Sequence, residues 1–274
     1  MNAKIWLKKA NIPDAKIILG SVLSLPPSEA QTFLVLHDDY ELSEEELKLA
    51  DKRLERRKKG EPLAYILGYR EFYGRDFRVT PEVLIPRPET EEIVDFALKI
   101  IRGETGVEKI IDVGTGSGCI AISLALELEK QGRDFAITGV DISEKALAVA
   151  KRNAERLGAK NLSFSQSDLL NAVKIADFDL VIANLPYVSR DWEWTSPELK
   201  YEPEVALFAE NEGLALIRRL LLQISAQISE QKPNKKQYLL LEADPCQHAT
   251  IVEIAKKVGF SSPKTHDFVV YLEY

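Results

Sequence analysis

Residues 107–119 read Val107-Glu-Lys-Ile-Ile-Asp-Val-Gly114-Thr-Gly116-Ser-Gly118-Cys119, and they set the architecture of the chain. Val107–Val113 is an apolar run of strand length, rich in β-branched residues. Gly114 to Gly118 then places three glycines in five positions, which lets the chain turn sharply and leaves its backbone open to close approach. Cys119–Lys130 is rich in Ala, Ile and Leu and reads as a helix. Strand, glycine-rich turn and helix form the opening unit of a parallel α/β sheet.

The same alternation continues toward the C-terminus. Phe135–Val140 is a second strand and ends at Asp141. Ser143 caps a helix that runs through Arg156 and stops at Gly158. Asn161–Phe164 is a third strand, followed by Gln166-Ser-Asp168-Leu169. Leu180–Ala183 is a fourth, and it runs straight into Asn184-Leu185-Pro186-Tyr187. A helix over Glu212–Ser229, a fifth strand over Gln237–Glu242, a helix over Gln247–Val258 and one or two strands in Lys264–Tyr274 complete the series. This order predicts an α/β fold with a doubly wound, mainly parallel sheet.

Toward the N-terminus the chain changes character twice. Residues 1 to about 60 read as helices: Ala3–Ala10, Asp14–Leu23 after Pro13, Ser28–His37 with Ser28 as cap and Phe33, Leu34 and Leu36 as core, and a helix opened by the capping box Ser43-Glu-Glu-Glu46. That last helix ends in Lys52-Arg53-Leu-Glu-Arg56-Arg57-Lys58-Lys59-Gly60. Cations in a final turn followed by Gly complement the helix dipole; the same run also has the charge of a docking surface for an acidic or nucleic-acid-like partner. Glu61–Gly68 reads as one helical turn and a stop. Arg70–Gly74 and Phe77–Val79 alternate around a Gly, as in a β-hairpin. Ile85-Pro86-Arg87-Pro88-Glu89-Thr90-Glu91 then leads into the acid-rich start of a helix. The expected organisation is a small helical bundle over 1–68, a β-hairpin linker over 69–87 and the α/β domain over 88–274.

With 274 residues, 45% hydrophobic and 29% charged, the chain has the composition of a globular protein with a real core. Its 43 acidic residues outnumber its 36 basic ones, for a net charge of −7, which argues against a broad electrostatic grip on nucleic acid. Cys119 and Cys246 form no spacing motif, and His37, His248 and His266 are scattered, so no metal site is expected. The N-terminus has no apolar signal core, and no segment approaches the ~20 apolar residues of a membrane span. The expected location is the cytoplasm.

A glycine-rich loop alone is generic. Here it lies between a strand and a helix, and Asp141 ends the next strand, where a carboxylate can accept from both hydroxyls of a ribose. A dinucleotide fingerprint requires Gly at position 119, which is Cys, and no Gly-Lys-Ser/Thr follows for an ATP loop. The ligand class that survives is a nucleoside cofactor without a pyrophosphate, S-adenosylmethionine being the natural candidate; the plain alternative is a structural turn. Asn184-Leu-Pro-Tyr closes the fourth strand at the same edge. Leu185 precedes a proline and is driven extended, and Pro186 has no N–H. The strand therefore ends with an amide side chain, free carbonyls and an aromatic ring. Asn184 can hydrogen-bond a planar amide or amino group and Tyr187 can lie against it. Alone, the tetrapeptide also serves as an ordinary strand-ending turn.

Taken together, Ile85–Glu91, Asp112–Gly118, Asp141, Gln166–Asp168 and Asn184–Tyr187 resemble the HemK family of protein-(glutamine-N5) methyltransferases, which act on peptide-chain release factors. Gly60-Glu-Pro-Leu-Ala64, Arg70-Glu-Phe72 and Glu202-Pro203 extend the resemblance over nearly the whole chain. The Pro-Arg-Pro-Glu-Thr-Glu segment is its most specific part, whereas the glycine loop is generic to methyltransferases. The resemblance implies a class I methyltransferase fold, S-adenosylmethionine as cofactor, a docking role for the N-terminal bundle, and methyl transfer to the side-chain amide nitrogen of a glutamine in a release factor. It implies that Gly114, Thr115, Gly116, Ser117 and Gly118 line the methionine and ribose side of the cofactor, that Asp141 holds the ribose, and that Asp168 and Leu169 border the adenine. Asn184, Leu185, Pro186 and Tyr187 would hold the glutamine, with Asn184, Pro186 and Tyr187 at the chemistry. Asn184 and Arg87 are further expected cofactor-site residues, the alternative for Arg87 being a surface ion pair with a neighbouring acid. Leu185 stands where the family usually has proline. Asn-Leu-Pro-Tyr is similar to the form in ribosomal-RNA adenine dimethylases, which makes a nucleic-acid N-methyltransferase the second reading. The expected partner is a protein, neither nucleic acid nor membrane, and the chain is expected to act as a monomer.

Overall fold

The computed structural model describes residues 1–193, 196–231 and 236–274. The chain forms two compact units. One comprises Met1–Tyr69 with Ser196–Tyr201, the other Arg70–Thr195 with Glu202–Tyr274.

The first unit is helical: α1 (Ala3–Ala10), α2 (Ala15–Val22), α3 (Pro27–Leu36), α4 (Glu44–Lys58) and α5 (Leu63–Leu67). Its core gathers Trp6, Ile18, Leu19, Leu34 and Leu54. The Trp6 indole satisfies its one polar atom by donating to Asp51 Oδ1 at 2.8 Å. Ser43 and Glu46 form the expected capping box. The start of α3 differs from expectation. It begins at Pro27 after Pro26, with no side-chain cap from Ser28, because proline is well placed at a first helical position. Leu36 is 71% exposed rather than core. The buried stripe of α3 runs through Ala30 and Leu34, and two residues on from Leu34 the helix has turned to its outer face. Part of the basic run is not a free charged face: Arg56 pairs with Glu61, and Arg57 with Asp14 and Glu198, fastening the end of α4 within its own unit.

A hairpin of β1 (Tyr69–Phe72) and β2 (Arg75–Arg78) follows, and α6 (Glu91–Gly103) begins after a short 3₁₀ turn at Pro88–Thr90. Then come β3 (Lys109–Val113), α7 (Cys119–Lys130), β4 (Ala136–Asp141), α8 (Glu144–Leu157), β5 (Leu162–Gln166), β6 (Leu180–Ala183), the single turn α9 (Glu204–Leu207), α10 (Ala215–Gln231), β7 (Tyr238–Glu242), α11 (His248–Lys257), β8 (Ser261–His266) and β9 (Val269–Glu273). The sheet order is β5-β4-β3-β6-β7-β9-β8; strands β3 to β7 are parallel, and β9 and β8 run antiparallel at one edge. Alternate side chains enter different cores. Ile110, Leu180 and Ile182 pack with Val94, Ala97 and Leu124; Ile111, Val113, Val181 and Ala183 pack with Ile217, Leu221 and Ile251. Burial on both faces is why β6 reads as an unbroken apolar run and β3 as one interrupted by the buried Asp112. Strand order reverses between β3 and its neighbours β4 and β6, and the carboxyl edge at such a switch point is where a ligand crevice opens. The helix expected from Glu212 starts at Ala215 instead, because Asn211, Glu212 and Gly213 all turn through positive φ.

Candidate active site

Adjacent strands deliver their last residues to one edge. Val113 is in register with Val140 and with Ala183, and Ala183 with Leu241. Gly114, Asp141, Asn184 and Glu242, the next residue of each strand, therefore form a row. Beside it lies a cavity lined by Arg87, Gly114, Thr115, Gly116, Ser117, Asp141, Asp168, Leu169, Asn184, Leu185 and Pro186. Of the residues expected at the site, Gly118 and Tyr187 do not line this cavity.

The amides of Gly114 and Thr115 both donate to the Val140 carbonyl, at 2.8 and 3.0 Å, and fix the loop to β4. Gly118 has a φ of 80°, and a Cβ there would lie 2.8 Å from Ile122, so it seats the loop on the helices behind. At Gly116 a Cβ would meet nothing nearer than Gly114 O at 3.9 Å, leaving an open face. Beneath the loop Thr115 donates to Asp112 Oδ2 at 2.6 Å. Burial pushes the Asp112 carboxyl up to about 7, opposed by the Thr115 and Ala121 donors. Asn153, fully buried, donates to Ser117 O and to Arg78 O and accepts from Arg78 N, tying the loop to the hairpin.

Asp141 accepts from Gly116 N and Ser143 N, each at 2.9 Å, and burial raises its pKa. With a third backbone donor from Ile142, the carboxylate still keeps acceptor capacity toward a ribose. Ile142, next in the chain, is 53% exposed and lines the same cavity. An exposed apolar side chain beside a strand-end carboxylate suits a flat base over a ribose, and sequence reasoning missed it. Asp168 is ion-paired with Arg219 of α10. Arg87 lines the cavity and also donates to Glu202 Oε1 at 2.6 Å, while Glu202 Oε2 accepts from Ile85 N. The acid is buried, so this pair is built into the cavity wall rather than lying on the surface.

At the end of β6, Asn184 Nδ2 donates to Thr90 Oγ1 at 3.1 Å. One amide N–H is thereby held and Asn184 also donates toward Glu242, which leaves its oxygen as the acceptor on offer. Leu185 is buried, and a Cβ on Gly114 would come within 3.1 Å of it. Tyr187 turns away, its hydroxyl donating to Glu242 Oε1 at 3.2 Å. Glu242 is 1% exposed and its Oε2 has no hydrogen-bond partner among the described residues. Burial pushes this carboxyl up to about 7; donors from Thr90, Tyr187 and Asn184 oppose the shift and Glu89 adds to it. Glu242 also escaped the sequence reading. Its one signal was that an acid ends a strand neighbouring the Asn184 strand. Outside the cavity, Glu92, His266 and Asp267 form a surface grouping of metal-ligand type.

The open face at Gly116, the unfilled acceptor capacity of Asp141 and the exposed Ile142 fit an adenosine cofactor. With this sheet order they define a class I methyltransferase. A methyltransferase-domain family model matches residues 105–249, and one for the PrmC N-terminal domain matches 7–68. The release factor glutamine methyltransferase of Koribacter versatilis is 39% identical over 80% of this chain and 77% of its own length. That of Neisseria gonorrhoeae is 36% identical over 93% and 89%, and that of Buchnera aphidicola 32% over 100% and 95%. The chain belongs to the release factor glutamine methyltransferase family, and S-adenosylmethionine is its cofactor. Among solved structures, the hMettl16 catalytic domain in complex with a MAT2A 3'UTR hairpin shares the fold, with a TM-score of 0.56 at 18% identity over 83% of this chain and 90% of that one. These relatives do not favour the ribosomal-RNA adenine reading.

Proposed function

We propose that this protein transfers the methyl group of S-adenosylmethionine to the side-chain amide nitrogen of a glutamine in a peptide-chain release factor, acting in the cytoplasm as a monomer, with the helical unit as docking module. The observation that carries the reading is Asn184 at the end of β6, beside the glycine loop, with its Nδ2 held by Thr90.

Gly114 to Ser117 would follow the methionine and ribose, Asp141 would accept from the ribose hydroxyls, and Asp168, Leu169 and Ile142 would border the base. Arg87, held by Glu202, would close the wall. When bound, the cofactor supplies an electrophilic methyl group. A carboxamide nitrogen is a poor nucleophile because its lone pair is delocalised, so the chain's task is positioning. Asn184 Oδ1 and the Leu185 carbonyl each accept one substrate N–H and aim the nitrogen at the methyl carbon. On receiving the methyl group the nitrogen would gain positive charge, which both acceptors would stabilise, and its surplus N–H proton would pass to bulk solvent. Leu185 supplies the same backbone acceptor as proline. Tyr187 supports the clamp from beneath.

Asn184→Ala should lower kcat by at least ~100-fold and leave cofactor affinity within a few-fold. The decisive assay offers labelled S-adenosylmethionine with release factor and, separately, ribosomal RNA. Label on RNA and not on protein overturns the proposal, as does an Asn184→Ala variant of near-normal rate.

A further inference from the structure

We propose that Thr90 and Glu242 form a relay that fixes which end of the Asn184 amide faces the substrate, making both positioning residues for methyl transfer. The inference rests on Asn184 as the substrate clamp.

The two ends of an asparagine amide have nearly the same shape, and only hydrogen bonding selects the orientation. A substrate NH₂ needs the oxygen, so the nitrogen must be occupied elsewhere. Thr90 Oγ1 accepts from Asn184 Nδ2. A hydroxyl has one hydrogen, and Thr90 can keep accepting from Asn184 only if that hydrogen goes to another acceptor. Glu242 stands next to it. Tyr187 donates to its Oε1, its buried Oε2 has no partner at hydrogen-bond distance among the described residues, and Thr90 and Asn184 stand as donors beside the carboxyl. An ionised carboxylate accepts and never donates, so it orients Thr90 as donor away from Asn184 and acceptor toward it. A side-chain amide at position 242 would offer Thr90 a competing N–H. Thr90 could then donate to the Asn184 oxygen, and the flipped Asn184 would present its NH₂ to the substrate's NH₂. Thr90 is 2% exposed and Glu242 1%, so water does not blur the choice. An acid kept in a dry wall is costly unless donors are aimed at it. The titratable groups facing Glu242 are Tyr187 from the end of β6 and Glu89 from the turn before α6, with the Cys119 thiol at the start of α7 and Asp244 close to Tyr187.

Thr90→Val keeps the shape and deletes the hydroxyl, Thr90→Ser restores it, and Glu242→Gln removes the charge. Each is assayed with a release-factor fragment bearing the glutamine, alongside calorimetric binding of S-adenosylhomocysteine. Thr90→Val and Glu242→Gln should lower kcat ~10- to 100-fold, with KM changed less than ~3-fold and cofactor affinity within ~2-fold. Thr90→Ser should recover kcat to within ~3-fold of the parent. The parent kcat should rise with pH through the neutral range, and the Glu242→Gln profile should rise less steeply. Should Glu242→Gln fail to fold, Thr90→Val decides alone. Thr90→Val turnover within ~2-fold of the parent, while Asn184→Ala is inactive, overturns the relay and spares the clamp. Activity in Asn184→Ala instead removes the clamp, and the relay with it.

Discussion

Gly213 carries a φ of 82°, and a Cβ there would lie 1.9 Å from the Tyr187 carbonyl oxygen and 2.6 Å from Gln247 Nε2. Gln247 Nε2 donates to that same carbonyl and to Glu212 O, each at 2.8 Å. One glycine therefore lets the turn before α10 press against the clamp motif. Gly213→Ala should cost roughly 2–4 kcal/mol of stability and lower kcat. Gly132→Ala is the control: φ is 62° but the space is open, so roughly 1 kcal/mol is expected. Urea titration of both variants checks the contrast, and equal losses would refute it. Arg87→Ala removes the cation from Glu202, whose side chain is 2% exposed. An unpaired buried acid should destabilise by about 2 kcal/mol, below the fully buried case because Arg87 is partly solvated, and cofactor affinity should fall. Thermal melts with calorimetric titration test this; unchanged affinity and stability would mean the pair is incidental.

At the scale of elements, Asn153 joins the hairpin, α8 and the glycine loop through three hydrogen bonds. Asn153→Ala leaves two backbone groups of Arg78 and the Ser117 carbonyl without this partner. It should cost about 2–4 kcal/mol, weaken cofactor binding several-fold and speed amide exchange in β2. Normal exchange and affinity would show that the hairpin does not brace the loop. The elements differed in how plainly the sequence announced them. Strands β3, β6 and β7 are legible because burial on both faces keeps them largely apolar, the buried Asp112 being the one polar residue inside β3. Strand β5 is an edge strand with mixed burial, and its limits shifted. The start of α10 was misplaced because Glu212 and Gly213 look like helix entry until the contact with Tyr187 is known. Gly114, Asp141 and Asn184 were legible because a turn, a strand-end acid and a Pro motif each have local signatures. Glu242, Ile142 and Asn153 were not, because their significance lies in register and packing with distant segments.

For the whole molecule the distribution of buried carboxyls sets the response to pH. Asp112 rises from 3.8 to about 7 and Glu242 from 4.5 to about 7, both chiefly through burial, and Asp141 is raised as well. Each binds a proton more tightly folded than unfolded. Its contribution to stability is therefore complete below the unfolded value and lost as pH rises through the folded one. Carboxylates shifted the other way, Glu46, Glu127, Glu253 and Glu273, act below about pH 4.5 and leave the upper window clear. The net charge of −7 adds self-repulsion of the same sign as pH rises. Stability should therefore fall between about pH 5 and pH 7, with a slope of up to about 1.4 kcal/mol per pH unit for each such proton, and level off above about pH 8. Asp112→Asn and Glu242→Gln should each flatten the slope. Asp112, Asp141 and Glu242 all belong to the second unit, so amide exchange in β3 and β6 should accelerate with pH, beyond intrinsic chemistry, more than exchange in α2. Urea titrations across the range, read beside that exchange, measure both parts. Stability that rises from pH 5 to 7, or a slope unchanged in both variants, would mean that these carboxyls are ionised in the folded protein.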